Sequence, residues 1–191
     1  MIYLTKVEIK NEKNVNIHFE KVTKNLLLVE INFERDDCST RVFYWMLTKV
    51  GAIPPLEIGV DLGSDEIVNL SFFIDFFHEK NLDEKKIKET KGSLKVETKF
   101  FDKSDRYIEN NEGYSFILDG NMLTCVFDFN DGFNQSYVNK NFKMYTNNKE
   151  SVVGFSIKLS EEEMLLVKSI KYSEDNTLQQ LMYKTNQLIL G

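Results

Sequence analysis

Residues 56–77, LEIGVDLGSDEIVNLSFFIDFF, constrain this chain more than any other stretch, because their hydrophobic pattern reads as two strands joined by a turn. Leu56, Ile58, Val60 and Leu62 alternate with Glu57, Gly59 and Asp61, the two-residue period of a half-buried strand. Gly63-Ser64-Asp65-Glu66 has turn composition: Gly tolerates positive φ, and Ser and Asp bond back to nearby amides. Val68, Leu70, Phe72, Ile74 and Phe76 alternate on the return strand. Phe73 and Phe77 fall on the opposite face, so the end of that strand is apolar on both sides and needs a cover, either a helix or a partner.

Other strands follow at short intervals. Residues 2–9 and 15–22 alternate around the polar segment 10–14, and Leu26 to Phe33 is a denser apolar run. Arg41 to Leu47, RVFYWML, is apolar and aromatic throughout and reads as a strand covered on both faces. Pro54-Pro55 ends that element. Residues 79–92 are charge-dense, a short surface helix or a linker, and mark the one place where a single domain spanning 1–191 would divide. Beyond them Leu94 to Phe101 resumes as a strand. Asp119-Gly120-Asn121 then joins 114–118 to 123–129, and 142–145 pairs with 152–159, as further hairpins.

The C-terminal part has a helical pattern. Ser160-Glu161-Glu162-Glu163 is a capping box, with three glutamates at the positive end of the helix dipole. A second start at Asn176 leads into Leu178, Leu181, Met182, Thr185, Leu188 and Ile189, an amphipathic face expected to dock on the sheet. The expected fold class is α+β: mainly antiparallel sheet built from hairpins, with two C-terminal helices.

Charge and composition narrow the function. With 24 basic and 30 acidic residues the net charge is −6, which speaks against a general nucleic-acid role and suits a basic protein partner. No run of 18 apolar residues marks a membrane span, and MIYLTKVEIKNEK breaks its apolar residues with charge too often for a secretory leader. A cytoplasmic protein is the expectation. Cys38 and Cys125, far apart in sequence, make neither a metal site nor a disulfide framework.

Catalytic patterns are thin. His18 lies in a strand alternation, facing away from Ile17 and Phe19; His78 follows a strand end three residues after Asp75, where a base and its orienting acid could meet. No nucleophile accompanies them. Residues 128–134, DFNDGFN, fail the calcium-loop spacing, since counting from Asp128 puts Gly132 at position 5 and Asn139 at position 12. There is no GxGxxG, P-loop, GxSxG, HExxH or CxxC. A carboxylate-only hydrolase would draw on Asp61, Asp75 and Asp128, which nothing in their spacing brings together.

Two segments, LEIGVDLGSDEIVNLSFF (56–73) and NNKESVVGFSIKLSEEEMLLVKSI (147–170), resemble small proteins of low-GC Gram-positive bacteria, many of which look like immunity proteins of polymorphic toxin systems. The resemblance implies a non-catalytic, cofactor-free protein that binds and blocks one cognate toxin domain, and carries no functional residue with it. Charge and face alternation supply the contact candidates: Asp61, Asp65, Glu66 and Asp75 on the hairpin, with Phe73 and Phe77 as apolar anchors. The competing expectations are an accessory domain with a small-molecule pocket, and a hydrolase using Asp/His chemistry.

Overall fold

The computed structural model describes residues 4–35, 41–49, 53–80, 87–98, 106–128 and 132–170. Of these, 61% lie in strands and 6% are helical, which corrects the α+β expectation to a mainly β fold. In chain order the strands are β1 (Lys6–Lys10), β2 (Val15–Thr23), β3 (Leu26–Phe33), β4 (Val42–Leu47), β5 (Leu56–Asp61), β6 (Ile67–Ile74), β7 (His78–Glu79) and β8 (Lys88–Lys91). They continue as β9 (Ser93–Val96), β10 (Tyr107–Asn110), β11 (Tyr114–Asp119), β12 (Met122–Phe127), β13 (Gln135–Asn139), β14 (Phe142–Thr146) and β15 (Val152–Lys158). One helix, α1 (Glu161–Lys168), follows. The second expected helix, from Asn176, lies outside the described residues, as does Cys38.

Two sheets face each other. One has six strands in the order β10-β4-β5-β6-β3-β2; the other has seven, β7-β11-β12-β15-β14-β13-β8. Aromatic side chains on the inner faces bridge them. Phe72 of β6 meets Phe116 of β11 at 5.3 Å and Phe155 of β15 at 5.1 Å. Trp45 of β4 lies 5.8 Å from Phe127 of β12, and Phe33 of β3 lies 5.2 Å from Phe142 of β14. These rings belong to one continuous buried cluster fed by both sheets, a sandwich core.

Three local pairings are those the alternation predicts, β5 with β6, β11 with β12 and β14 with β15, all antiparallel; β2 also pairs antiparallel with β3, which the sequence pattern does not assign. The long-range ones depart from it. β1 does not pair with β2 but joins β9 in a separate two-stranded sheet, and three edge strands (β10, β7 and β8) add in parallel. Residues 88–91 of the charged connector are therefore strand β8 rather than helix or linker. β4 also differs from expectation: Phe43, Trp45 and Leu47 are buried, while Val42, Tyr44 and Met46 face outward and are half-buried. The strand is covered on one side by the core, and no described helix covers the other.

α1 closes one end of the core with Val167, and Ile170 just beyond it is also buried. Its N-terminus is the capping box the sequence predicts: the Ser160 hydroxyl accepts from the Glu163 amide at 3.3 Å, and the Glu163 carboxylate accepts from the Ser160 amide at 2.7 Å.

Candidate partner-binding face

The hairpin turn places its acidic residues in the structure rather than on it. Asp61 is 2% exposed. One carboxylate oxygen accepts from the amides of Gly63 (2.8 Å) and Ser64 (2.9 Å), shaping the turn, and the other pairs with the Arg35 guanidinium. Glu66 is buried and holds the Lys13 ammonium at 2.6 Å. Asp65, at φ 60°, accepts from the Thr98 hydroxyl and lies 3.9 Å from the Lys95 ammonium. Each acid proposed for contact on this turn thus has an internal cation. Phe77, proposed as an apolar anchor, is 3% exposed and sits in the core.

At the far end of β6, Asp75 pairs with Lys49 at 3.2 Å, and that ammonium also lies 5.8 Å from the centre of the Tyr114 ring. Asp75 and His78 are not bonded to each other. His78 sits edge-on to Phe76 at 4.6 Å, and its pKa is lowered by partial burial and by nearby Lys49 and Lys80. Burial pushes the Tyr114 hydroxyl up, and that hydroxyl has no hydrogen-bond partner among the described residues. Burial likewise pushes the Cys125 thiol well up, which leaves it protonated and a poor nucleophile. Asp61 and Asp75 flank the eight residues of β6 at its two ends, about 25 Å apart at strand rise, so they cannot share a reacting bond. No group of three or more His, Cys, Asp or Glu side chains poised for a metal occurs among the described residues. Of the 128–134 segment, residues 129–131 lie outside them.

The outer face of the six-stranded sheet is different in kind. Register runs one row of outward residues straight across it: Glu109 opposite Met46, Met46 opposite Glu57, Glu57 opposite Ser71, Ser71 opposite Glu30, and Glu30 opposite His18. The carboxylates of Glu109, Glu57 and Glu30 stand on alternate strands and have no hydrogen-bond or ion-pair partner among the described residues. Glu57 is half-buried, and its pKa is raised by that burial alone.

Apolar side chains flank the row on both sides. Phe73 and Leu28 are paired across β6 and β3, and Tyr44 and Tyr107 across β4 and β10. Tyr107 is 57% exposed. Gly59 contributes no side chain, because a Cβ there would collide with the Asn69 amide lying over it. The result is a groove of about 500 Å³ bordered by Tyr44, Met46, Glu57 and Tyr107, with Arg41 and Arg106 at one end. Of the six candidates from sequence, Phe73 alone lies on this face.

Sequence reasoning passed over Glu30, Glu57, Glu109, Tyr44, Met46 and Tyr107. Alternation sets Glu57 apart from the apolar positions of its strand, but 41–47 reads as apolar on both faces and 107–110 carries no strand pattern in the sequence. Their common row depends on inter-strand register, which alternation does not supply.

No family model matches the chain, and none of the curated proteins matches it. No helix among the described residues is long and apolar enough to cross a membrane.

Proposed function

We propose that this protein is a non-catalytic protein-binding protein, an immunity-type inhibitor that occludes the active site of a cognate toxin domain, and that it binds with the outer face of its six-stranded sheet. The observation that carries this reading is the combination on that face of half-buried aromatic and aliphatic side chains, which no described helix covers, with carboxylates that have no ion-pair partner among the described residues. A sheet face turned to water ordinarily alternates to polar residues. Here Tyr44, Met46, Phe73 and Leu28 occupy those positions instead. Aromatic residues and methionine are enriched at the centres of protein interfaces. Free carboxylates around them favour a basic partner, through faster encounter and rejection of acidic competitors.

The test is co-expression. Affinity capture from the source organism identifies the partner, and that partner is then expressed with this protein or with the Met46→Asp/Phe73→Asp variant. The expected outcome is growth arrest by the partner alone, protection by the native chain and loss of protection by the variant. Equal protection by a variant that melts like the native protein would remove the face from the proposal.

The groove's volume also falls within the range of small-ligand sites, which favours the pocket reading second. That reading is distinguished by a rise in melting temperature with a small molecule in the absence of any protein partner.

A further inference from the structure

Building on the partner-binding reading of this face, we infer that the partner's docking element is a basic amphipathic helix lying across the strands, with Lys or Arg side chains seven residues apart. The spacing on the sheet leads to it. Neighbouring strands are about 4.8 Å apart, so carboxylates on alternate strands recur roughly every 10 Å along the row. Seven helical residues rise about 10.5 Å and return to nearly the same face. An extended segment matches the distance in three residues but turns its third side chain to the opposite side. Glu109, Glu57 and Glu30 therefore match three successive cations on one helix face, and an extended segment does not.

The residues between and beside the carboxylates fit the same occupant. Met46 and Ser71, neither of them charged, separate the three acids along the row. Phe73 with Leu28 on one side, and Tyr44 on the other, meet the positions three and four residues from each cation, where an amphipathic helix carries its apolar stripe. Arg106 lines one end of the groove with Arg41, so sliding the helix off the row toward that end brings its cations toward a guanidinium. The carboxylates attract at one register and the arginine opposes the next, which is how specificity is set against alternatives.

The probe is a fluorescein-labelled, alanine-based helical peptide with arginines at three positions seven residues apart and leucines three and four residues after each. Its control is an isomer of identical composition with the arginines five residues apart, which scatters them around the helix. Fluorescence anisotropy should show the first binding at least tenfold tighter than the second. The preference should disappear in the Glu30→Gln/Glu57→Gln/Glu109→Gln variant, whose melting temperature serves as the folding control. Equal binding of the two isomers, no binding of either, or an unchanged preference in a folded triple variant overturns the inference. The wider reading is decided separately. If Met46→Asp/Phe73→Asp abolishes protection while the peptides fail, the face stands and the helix does not. If protection survives that variant, the face itself falls.

Discussion

The acidic turn at 61–66 and the carboxylate row across β10, β5 and β3 use the same residue types to opposite ends. In the turn, Asp61, Asp65 and Glu66 are held by Arg35, Lys95 and Lys13, and Asp61 also organises two amides. In the row, Glu30, Glu57 and Glu109 have no such partners among the described residues. Burying a charge is tolerated when a cation and hydrogen bonds replace its water. The turn meets that condition from within the chain. In the row only Glu57 is half-buried; Glu30 and Glu109 are exposed and keep their water, so these charges stay available to another molecule. An acidic residue is therefore a better contact candidate when its own fold has not already neutralised it.

The sharpest way to break this contrast is Asp61→Ala. It removes the carboxylate that pairs with the Arg35 guanidinium and releases the Gly63 and Ser64 amides, and removing one member of a buried pair typically costs about 3–5 kcal/mol. A drop of that order in urea-denaturation stability is expected, and a loss below about 1 kcal/mol would mean that the turn does not depend on its acid. Next in size, Phe73→Ser should weaken partner binding by about 30-fold or more if Phe73 is an interface anchor, read by titration calorimetry. Smaller again, Glu30→Lys/Glu57→Lys should leave stability within roughly 0.5 kcal/mol of native while slowing partner association at low salt. A large stability loss there would show that the row is structural after all.

The smallest effect concerns protonation of Glu57. Its folded pKa is raised above the ordinary 4.5 by burial, so ionisation is costlier in the native state than in the unfolded chain. The stabilising contribution is complete below about 4.5 and is lost as pH rises through the raised value. Glu57→Gln, which does not titrate, should therefore melt slightly above native at pH 7, with the gap closing below about 4.5. Scanning calorimetry across that window checks the sign.

Much of the local fold was legible in the sequence. Strict alternation in 56–74, the Asp119-Gly120 turn and the Ser160 capping box each describe interactions made within a few residues, and each appears where the pattern puts it. What was not legible depends on residues distant in sequence. Nothing near Lys6–Lys10 announces that β1 will pair with 93–96, and nothing in YIEN announces a parallel addition to β4. The Phe73 and Phe77 face, expected to need a helix or a partner as cover, divides instead: Phe77 lies in the core, while Phe73 stays half-buried on the outer face with no described helix over it. The contact candidates failed to separate for a related reason. Asp61 and Glu57 look alike in one strand, and only the arrival of Arg35 beside the first distinguishes them.

The parallel pairing of β10 with β4 joins residues 44–47 to residues 107–110, whereas the hairpins close over short loops. Closing a long loop costs entropy before its contacts repay it, so such pairings tend to form late. Tyr107 and Glu109 reach the outer face only through that pairing. During folding, the hairpins can be complete while the row still ends at Glu57. An acidic patch of full length then belongs to the finished molecule alone, and a partner that requires all three carboxylates would discriminate between the mature protein and its folding intermediates.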